Sequence, residues 1–256
     1  MTMWHFYKKV TFGGNMEYFV FSELGNRDIN EDYVDFVKVE DKMFFILADG
    51  LGGHGHGEIA SREATNAVKE YLLSHKDEDV EKLVADCFQV AHQKLLNLQK
   101  EIGDKSFFKT TLVLLCIANN YFVWGNIGDS RIYHFEDNKI IERSMDHSIP
   151  QMLVNMGKLK ENKIRHHEDR SRLTRVVGSD ESTIKPFVTY KEPFTENSIF
   201  LICTDGFWEY INEKYMEKYL KNSKSPEEWV LKMEKLILKN GKRKKMDNYS
   251  AIAIFL

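Results

Sequence analysis

Four aspartates stand out because each lies at the end of an apolar stretch or near an asparagine: Asp32, Asp49, Asp205 and Asp247. One aspartate after a strand is commonly only a turn former. Asp49 and Asp205, however, are each followed directly by glycine, and the set predicts strand ends that meet at one pole. Clustered carboxylates repel one another unless positive charge lies between them. Since carboxylate oxygens suit hard divalent cations, the pattern predicts a metal-dependent enzyme.

A glycine-dense loop strengthens this prediction. Asp49 follows an apolar segment and enters residues 50–57, which contain five glycines, and a helical pattern comes next. Glycines allow the backbone to approach a ligand closely, although a merely flexible loop is the alternative. Arg27 precedes Asp32 by five residues and fits either a plain surface ion pair or a ligand contact.

The elements that must position these residues belong to an ordinary globular chain. It has 256 residues, of which 43% are hydrophobic and 29% charged, and this length allows a substantial core. Strands are predicted at 17–22, 33–38, 43–48, 110–118, 121–126, 131–135, 198–204 and 251–255. Helices are predicted at 58–73, 80–102 and 226–238, the last with a Ser225 cap and Pro226 at its first position.

The order of these elements predicts the fold class. Tight turns at 119–120 and 136–138 make the strands on either side antiparallel, and the chain lacks the strand–helix alternation of a parallel sheet. We therefore expect an α+β fold in which helices cover the outer faces of two packed antiparallel sheets. With no repeat or linker in the sequence, residues 1–256 are interpreted as one domain.

Charge and cysteine content limit the partners and the cellular compartment that we expect for this protein. A net charge of −3 argues against a nucleic-acid partner, and no apolar run approaches the ~18 residues that suggest membrane insertion. Cys87, Cys116 and Cys203 lie in apolar contexts and are odd in number, so we expect buried reduced thiols. The N-terminus lacks the order of a signal peptide. We expect a cytoplasmic protein.

Further motifs resemble one known family. They are 25–32, 46–61, Gly125–Arg131, Asp146–Ser148, Leu173–Gly178, Cys203–Glu209 and Asp247–Ser250. In order and spacing they resemble the motifs of the metal-dependent protein phosphatases, the type 2C serine/threonine family, from about residue 17 to the C-terminus. The loop at 49–54 and the stretch at 146–175 resemble bacterial members.

The resemblance implies a four-layer α-β-β-α sandwich with two Mn²⁺ or Mg²⁺ ions at one end. Matched by position, Asp49 would bridge both ions and Asp205 and Asp247 would bind one of them. The backbone carbonyl of Gly50 would bind the other ion. Asp129 would contribute to a third, weaker metal site.

The resemblance also implies the reaction and the partners. Glu31 and Asp32 would hold water ligands of the ions, and Arg27 would grip the substrate phosphate as a bidentate fork. Phosphoserine and phosphothreonine would be hydrolysed by direct attack of a hydroxide held between the two ions. The implied partners are phosphorylated proteins, including a partner serine/threonine kinase or its targets.

One position departs from the family pattern. Leu51 stands where some members carry a histidine proposed as the general acid. His54 and His56 are nearby, but histidines in a glycine loop are more often structural or merely exposed. The general acid therefore stays unassigned.

Residues 149–172 correspond to a mobile flap in the family, with a short helix around Met152. Lys158 and Arg165 are among the basic residues of this segment. A solvated surface is one interpretation, and attraction of phosphorylated protein is the other. The aromatic residues of the N-terminal stretch, 1–16, fit either an extra strand or a partner contact.

Two functions of other classes compete with the phosphatase. A pseudophosphatase that only binds phosphoproteins would be expected to lose ligand aspartates, whereas Asp49, Asp205 and Asp247 are all present. A nucleic-acid or nucleotide binder would use the basic runs, such as 242–245, but the acidic net charge weighs against it.

Overall fold

Two antiparallel sheets of six strands each lie at the centre of the part of the chain that the computed structural model describes. That part comprises residues 4–9 (backbone only), 16–52, 56–76, 78–180, 184–242 and 244–256. In spatial order, the first sheet contains β1 (Trp4–Lys9), β2 (Glu17–Glu23), β12 (Tyr249–Phe255), β11 (Ile199–Cys203), β7 (Arg131–Glu136) and β8 (Lys139–Arg143). The second contains β10 (Glu192–Pro193), β6 (Tyr121–Ile127), β5 (Leu112–Ile117), β4 (Lys42–Asp49) and β3 (Asp32–Val39), with β9 (Phe187–Val188) also paired to β6.

Helices cover the outer faces of both sheets. They are α1 (Gly57–Ser74), α2 (Val80–Ile102), α3 (Ile149–Asn155), α4 (Asp205–Trp208), α5 (Glu213–Leu220) and α6 (Pro226–Gly241), with a 3-10 helix at Glu161–His166. Helices α1 and α2 pack on the second sheet, and α4, α5 and α6 pack on the first. A third apolar cluster fills the space between the sheets, with Tyr18, Phe45, Trp124 and Phe200 at its centre. The predicted four-layer α-β-β-α sandwich is confirmed.

Most predicted elements are present with small changes at their ends. Helix α2 begins and ends as predicted, and Asp79 caps it by accepting hydrogen bonds from the Glu81 and Lys82 amides. Ser225 caps α6 by accepting from the Glu228 amide at 3.2 Å. The N-terminal stretch contributes β1, which pairs with β2 at the edge of the first sheet. None of the described helices is long and apolar enough to cross a membrane.

Strand register brings the motifs to one end of the sandwich. Asp32 begins β3 and lies directly opposite Asp49, the last residue of β4. Residue 205 follows β11 and residue 247 precedes β12, and these two strands are antiparallel neighbours. Residue 129 lies between β6 and β7, and β7 pairs with β11 at the same end. All five aspartates therefore converge on one pole.

Candidate active site

Asp49 is fixed at this pole through its backbone. Its amide donates to Thr111 Oγ1 at 3.0 Å, and its carbonyl accepts from Thr110 Oγ1 and from the Thr111 amide, each at 2.8 Å. Thr111 Oγ1 in turn lies 2.8 Å from Ser130 Oγ. Burial raises the pKa of the Asp49 carboxyl well above its usual range, and the neighbouring aspartates raise it further. The backbone thus holds in place a carboxylate whose surroundings oppose its charge.

Asp32 is held by hydroxyl groups from the first sheet. Its Oδ2 accepts from Ser250 Oγ at 2.7 Å and from Thr204 Oγ1 at 3.0 Å. Ser22 Oγ lies 2.8 Å from Ser250 Oγ and accepts a hydrogen bond from Asn30 Nδ2 at 2.9 Å. Burial raises the pKa of Asp32 to about 8 despite these hydrogen bonds. Because Ser22 lies on β2, Ser250 lies on β12 and Thr204 directly follows β11, this network joins the two sheets behind the pole.

Asp205 and Asp129 complete the inner part of the acidic pole. Asp205 begins α4, and burial, followed by the charge of Asp247, raises its pKa to about 6. Burial also raises the pKa of Asp129 well above its usual range. Trp208 Nε1 donates to the Asp129 carbonyl at 2.9 Å and so fixes its loop against α4.

Asp247 and Arg27 lie at the mouth of the site. Their side chains form an ion pair at 2.7 Å and are 38% and 50% exposed, respectively. Asn248 positions this region: its Oδ1 accepts from the Glu31 amide at 2.9 Å. Its Nδ2 donates to the carbonyls of Leu24 and Ile29. The loop that carries Arg27 is thereby anchored beside Asp247.

The glycine loop encloses Glu31. A Cβ atom at Gly52 would lie 1.9 Å from Glu31 Oε2, and one at Gly57 would lie 2.5 Å from Oε1. The Gly50 amide donates to the Glu31 carbonyl at 3.0 Å. Burial raises the pKa of Glu31. A side chain at position 52 or 57 would therefore displace the Glu31 carboxylate, which occupies that space.

The donor set fits hard divalent cations. Buried carboxylates raise one another's pKa at this pole, so bound cations would relieve a repulsion that the protein leaves in place. Within the described residues, no three His, Cys, Asp or Glu side chains form a ready-made cage. Mg²⁺ and Mn²⁺ suit such an open site, because carboxylates, a carbonyl and several waters can share the coordination.

Two predicted flap residues have different surroundings. Lys158 is exposed. Arg165 is only 11% exposed and donates to both carboxylate oxygens of Glu213, at 2.7 and 2.8 Å, and to the carbonyls of Trp208 and Ile211. The structure therefore uses Arg165 to attach the flap to α4 and α5 and leaves its guanidinium no free donor face for a substrate.

The structure constrains the search for a general acid. The ring of His56 packs against Phe107 and Phe108, with centroid distances of 5.1 and 5.4 Å. This placement favours a structural role for His56. His54 lies outside the described residues.

Several positioning residues were not predicted from the sequence. Thr204 and Ser250 occur inside quoted motifs, yet no role was assigned to them; the same holds for Asn248. Thr111 and Ser22 carry no motif signal and resemble any polar strand residue. No local signal assigns these roles, because Thr204 and Ser250 hydrogen-bond the distant Asp32 and Asn248 accepts from the distant Glu31 amide.

Solved structures share this fold. The chain superposes on the serine/threonine phosphatase Stp1 from Staphylococcus aureus with a TM-score of 0.86 and 24% identity, covering 97% of this chain and 98% of that one. It also matches the catalytic domain of the serine/threonine protein phosphatase PstP in complex with two manganese ions. There the TM-score is 0.79 at 23% identity, and the match covers 94% and 97% of the two chains.

Sequence comparison identifies the family. The model described as Protein phosphatase 2C matches residues 22–246, so the chain belongs to the protein phosphatase 2C family. The serine/threonine phosphatase stp of Listeria welshimeri is 28% identical over 194 residues, which cover 74% of this chain and 76% of that protein. The family resemblance inferred from the motifs is confirmed.

Proposed function

We propose that this protein hydrolyses phosphoserine and phosphothreonine in proteins, using Mn²⁺ or Mg²⁺ at the acidic pole. The observation that carries the proposal is the convergence of five aspartates beside Arg27, at the end of a protein phosphatase 2C fold. When bound, two divalent ions supply an activated water and neutralise charge on the phosphoryl group.

The residues of the pole are assigned roles as follows. Asp49, Asp205, Asp247 and the Gly50 carbonyl would hold the two ions, and Asp129 would hold a third. Glu31 and Asp32 lie behind them and would orient water ligands. The hydrogen bonds to Asp32 and to the Asp49 backbone keep these carboxylates in position before any ion binds.

Arg27 would bind the substrate phosphate. Its guanidinium is half exposed and lies 2.7 Å from Asp247, so a phosphate at the mouth can accept from the donors that Asp247 does not use. A planar guanidinium matches phosphate with two parallel hydrogen bonds. Leu51 has no proton to donate, and His56 packs against aromatic rings. No side chain is therefore assigned to protonate the leaving group.

Hydrolysis of a phosphothreonine peptide by the purified protein tests this proposal. We expect phosphate release with Mn²⁺ and its loss in EDTA, with activity restored by excess Mn²⁺. An inactive protein that nevertheless binds Mn²⁺ in calorimetry would instead favour the pseudophosphatase. Nothing in the structure or among the relatives favours that alternative.

The substrates proposed are proteins phosphorylated by a serine/threonine kinase, including the kinase itself. Support comes from the family, since a protein phosphatase needs a kinase to make its substrate. We also place the protein in the cytoplasm, because Cys87, Cys116 and Cys203 are buried free thiols and such thiols suit a reducing compartment. Release of phosphate from an autophosphorylated kinase would test the first point.

A further inference from the structure

We propose that a cleft beside the acidic pole binds a second anionic group of the phosphoprotein substrate, either a carboxylate or another phosphate. The inference rests on the proposed function and names a feature of the preferred substrate. The cleft encloses about 460 Å³. Its lining includes Thr174 and Arg175, which directly follow the flap, together with Ser179 and with Ile184 and Lys185 before β9.

The charge of this cleft is one-sided. Arg175 and Lys185 are both exposed, and neither forms an ion pair with a carboxylate of the described residues. The Arg175 guanidinium donates a hydrogen bond of 3.4 Å to the Lys185 carbonyl. The hydroxyls of Thr174 and Ser179 add neutral donors to the lining. Because no carboxylate of the described residues lines the cleft, its cations and hydroxyl donors favour an anionic ligand.

In a second cavity, by contrast, the lining arginines are paired with carboxylates. This cavity encloses about 320 Å³ beneath the flap and is lined by three arginines. Each is matched: Arg131 pairs with Asp146, Arg143 with Asp146 and Glu161, and Arg165 with Glu213. The protein thus neutralises its structural arginines, whereas the cations of the cleft are left unpaired within the described structure.

Backbone hydrogen bonds connect the cleft to Asp49. Val177, next to the cleft residue Val176, exchanges two hydrogen bonds with Thr110, at 2.9 and 3.1 Å. Thr110 Oγ1 donates to the Asp49 carbonyl at 2.8 Å. One residue therefore separates the strand-like segment 173–177 from the central aspartate of the pole.

A second connection leads to Asp129. The Thr174 amide donates to the His147 carbonyl at 2.8 Å. The His147 amide donates to the Gly128 carbonyl at 2.8 Å, and His147 Nδ1 accepts from the Gly128 amide at 3.2 Å. Both connections show that the wall of the cleft adjoins the segments that carry Asp49 and Asp129, and on this basis we infer that a side chain neighbouring the phosphorylated residue enters the cleft.

The test measures selectivity between peptides. Phosphothreonine peptides that differ only in the position of a single glutamate, or of a second phosphoserine, are compared with an all-alanine parent. The enzymes are wild type, Lys185→Gln and Arg175→Gln. Lys239→Gln is the matched control, since Lys239 is an exposed lysine on α6 and does not line the cleft. Turnover of p-nitrophenyl phosphate normalises each preparation.

We expect the wild type and Lys239→Gln to prefer an anionic peptide by about fivefold in kcat/KM, as for partly exposed ion pairs. Lys185→Gln and Arg175→Gln should each reduce that preference toward one. Equal hydrolysis of all peptides by the wild type, or selectivity that survives in both cleft variants, would overturn this inference and leave the proposed function standing. If the wild type hydrolysed none of the peptides, the proposed function would fail and this inference with it.

Discussion

The pKa of the Asp49 carboxyl is raised by burial and also by the negative charges of four neighbours, Asp32, Asp129, Asp205 and Asp247. No single one of these contacts is unusual, since each aspartate follows from ordinary strand register. Together with burial, these charges make Asp49 a residue at which a bound cation would relieve repulsion. The same surroundings oppose its charge when no cation is bound, and this gives Asp49 two measurable properties of opposite sign.

Asp49→Asn should lower kcat/KM for a phosphopeptide by more than about 100-fold, above the usual cost of losing an outer-shell metal partner. The amide also removes a repelled negative charge from the pole. The metal-free variant should therefore unfold at a higher temperature than metal-free wild type. Steady-state kinetics with Mn²⁺ and thermal unfolding in EDTA measure the two effects.

Asp41→Asn is the matched control, because Asp41 lies in the exposed turn between β3 and β4. It should leave both quantities nearly unchanged. Substantial activity in Asp49→Asn would contradict the role of Asp49 as the bridging ligand. A lower unfolding temperature in EDTA would contradict the electrostatic account of the pole.

The secondary structure elements show how far sequence patterns determine this fold. Strands rich in β-branched and aromatic residues, and helices with a continuous apolar stripe such as α2, are strong signals because their burial follows one period. Strand β8 (Lys139–Arg143) lacks that signal, since it is a charged edge strand with no buried residue. Helix α5 has two buried residues, Met216 and Leu220. Strand β8 is therefore fixed by its neighbours, whereas α5 was not predicted because it has only eight residues, too few for a stable isolated helix.

The candidate site divides in the same way. Asp49 and Asp205 could be predicted because aspartate at a strand end followed by glycine is a local signal, and Asp32 and Asp247 because each lies near an asparagine at the edge of an apolar stretch. The partners of Asp32 could not, because Ser22, Thr204 and Ser250 meet there only after β2, β11 and β12 pair. The sequence shows that segment 149–172 is basic, yet only the tertiary structure distinguishes exposed Lys158 from part-buried Arg165.

That distinction leads to a paired prediction for the flap. Arg165→Ala should lower the free energy of unfolding by about 2–3 kcal/mol, because two backbone carbonyls and Glu213 lose their donor. Lys158→Ala should change it by less than about 0.5 kcal/mol. If exposed flap cations attract phosphoprotein, Lys158→Ala should raise KM for a phosphopeptide and not for p-nitrophenyl phosphate. Urea unfolding and kinetics on both substrates check this pair.

An Arg165→Ala variant as stable as the wild type would show that the guanidinium is not a structural attachment. Equal KM changes for the two substrates in Lys158→Ala would reject the attraction of phosphoprotein by the flap. The two variants therefore separate attachment of the flap from recognition by it.

The whole molecule combines a large apolar core with one pole of mutual repulsion. Three apolar clusters, one between the sheets and one under each helical layer, hold the four layers together. The core can thus support a group of buried carboxylates that disfavours folding on its own. Divalent cations that bind only the folded state would add stability, by about 2.7 kcal/mol at a free concentration 100 times Kd.

This balance predicts opposite pH dependences with and without metal. The folded-state pKa values of Asp32 and Asp205 are raised to about 8 and about 6, above the usual value near 3.9. The metal-free folded state therefore holds more protons than the unfolded chain, and its stability falls as pH rises through this window. Burial lowers the pKa of His147 to about 4. This residue therefore makes stability rise with pH, but only below about pH 6.5, where the imidazole of the unfolded chain is protonated. Between about pH 6.5 and 8, the two aspartates therefore determine how the stability of the metal-free protein changes with pH.

In EDTA we therefore expect the unfolding temperature to decrease from about pH 6.5 to 8. With Mn²⁺ the slope should flatten or reverse, because ions bind deprotonated carboxylates and their affinity rises with pH. Asp49→Asn should weaken the slope in EDTA, since it removes one of the repelled charges. Unfolding scans over this range, with and without Mn²⁺, measure all three. Parallel slopes in EDTA and in Mn²⁺ would mean that the ions do not bind at the acidic pole, because binding there must displace its protons.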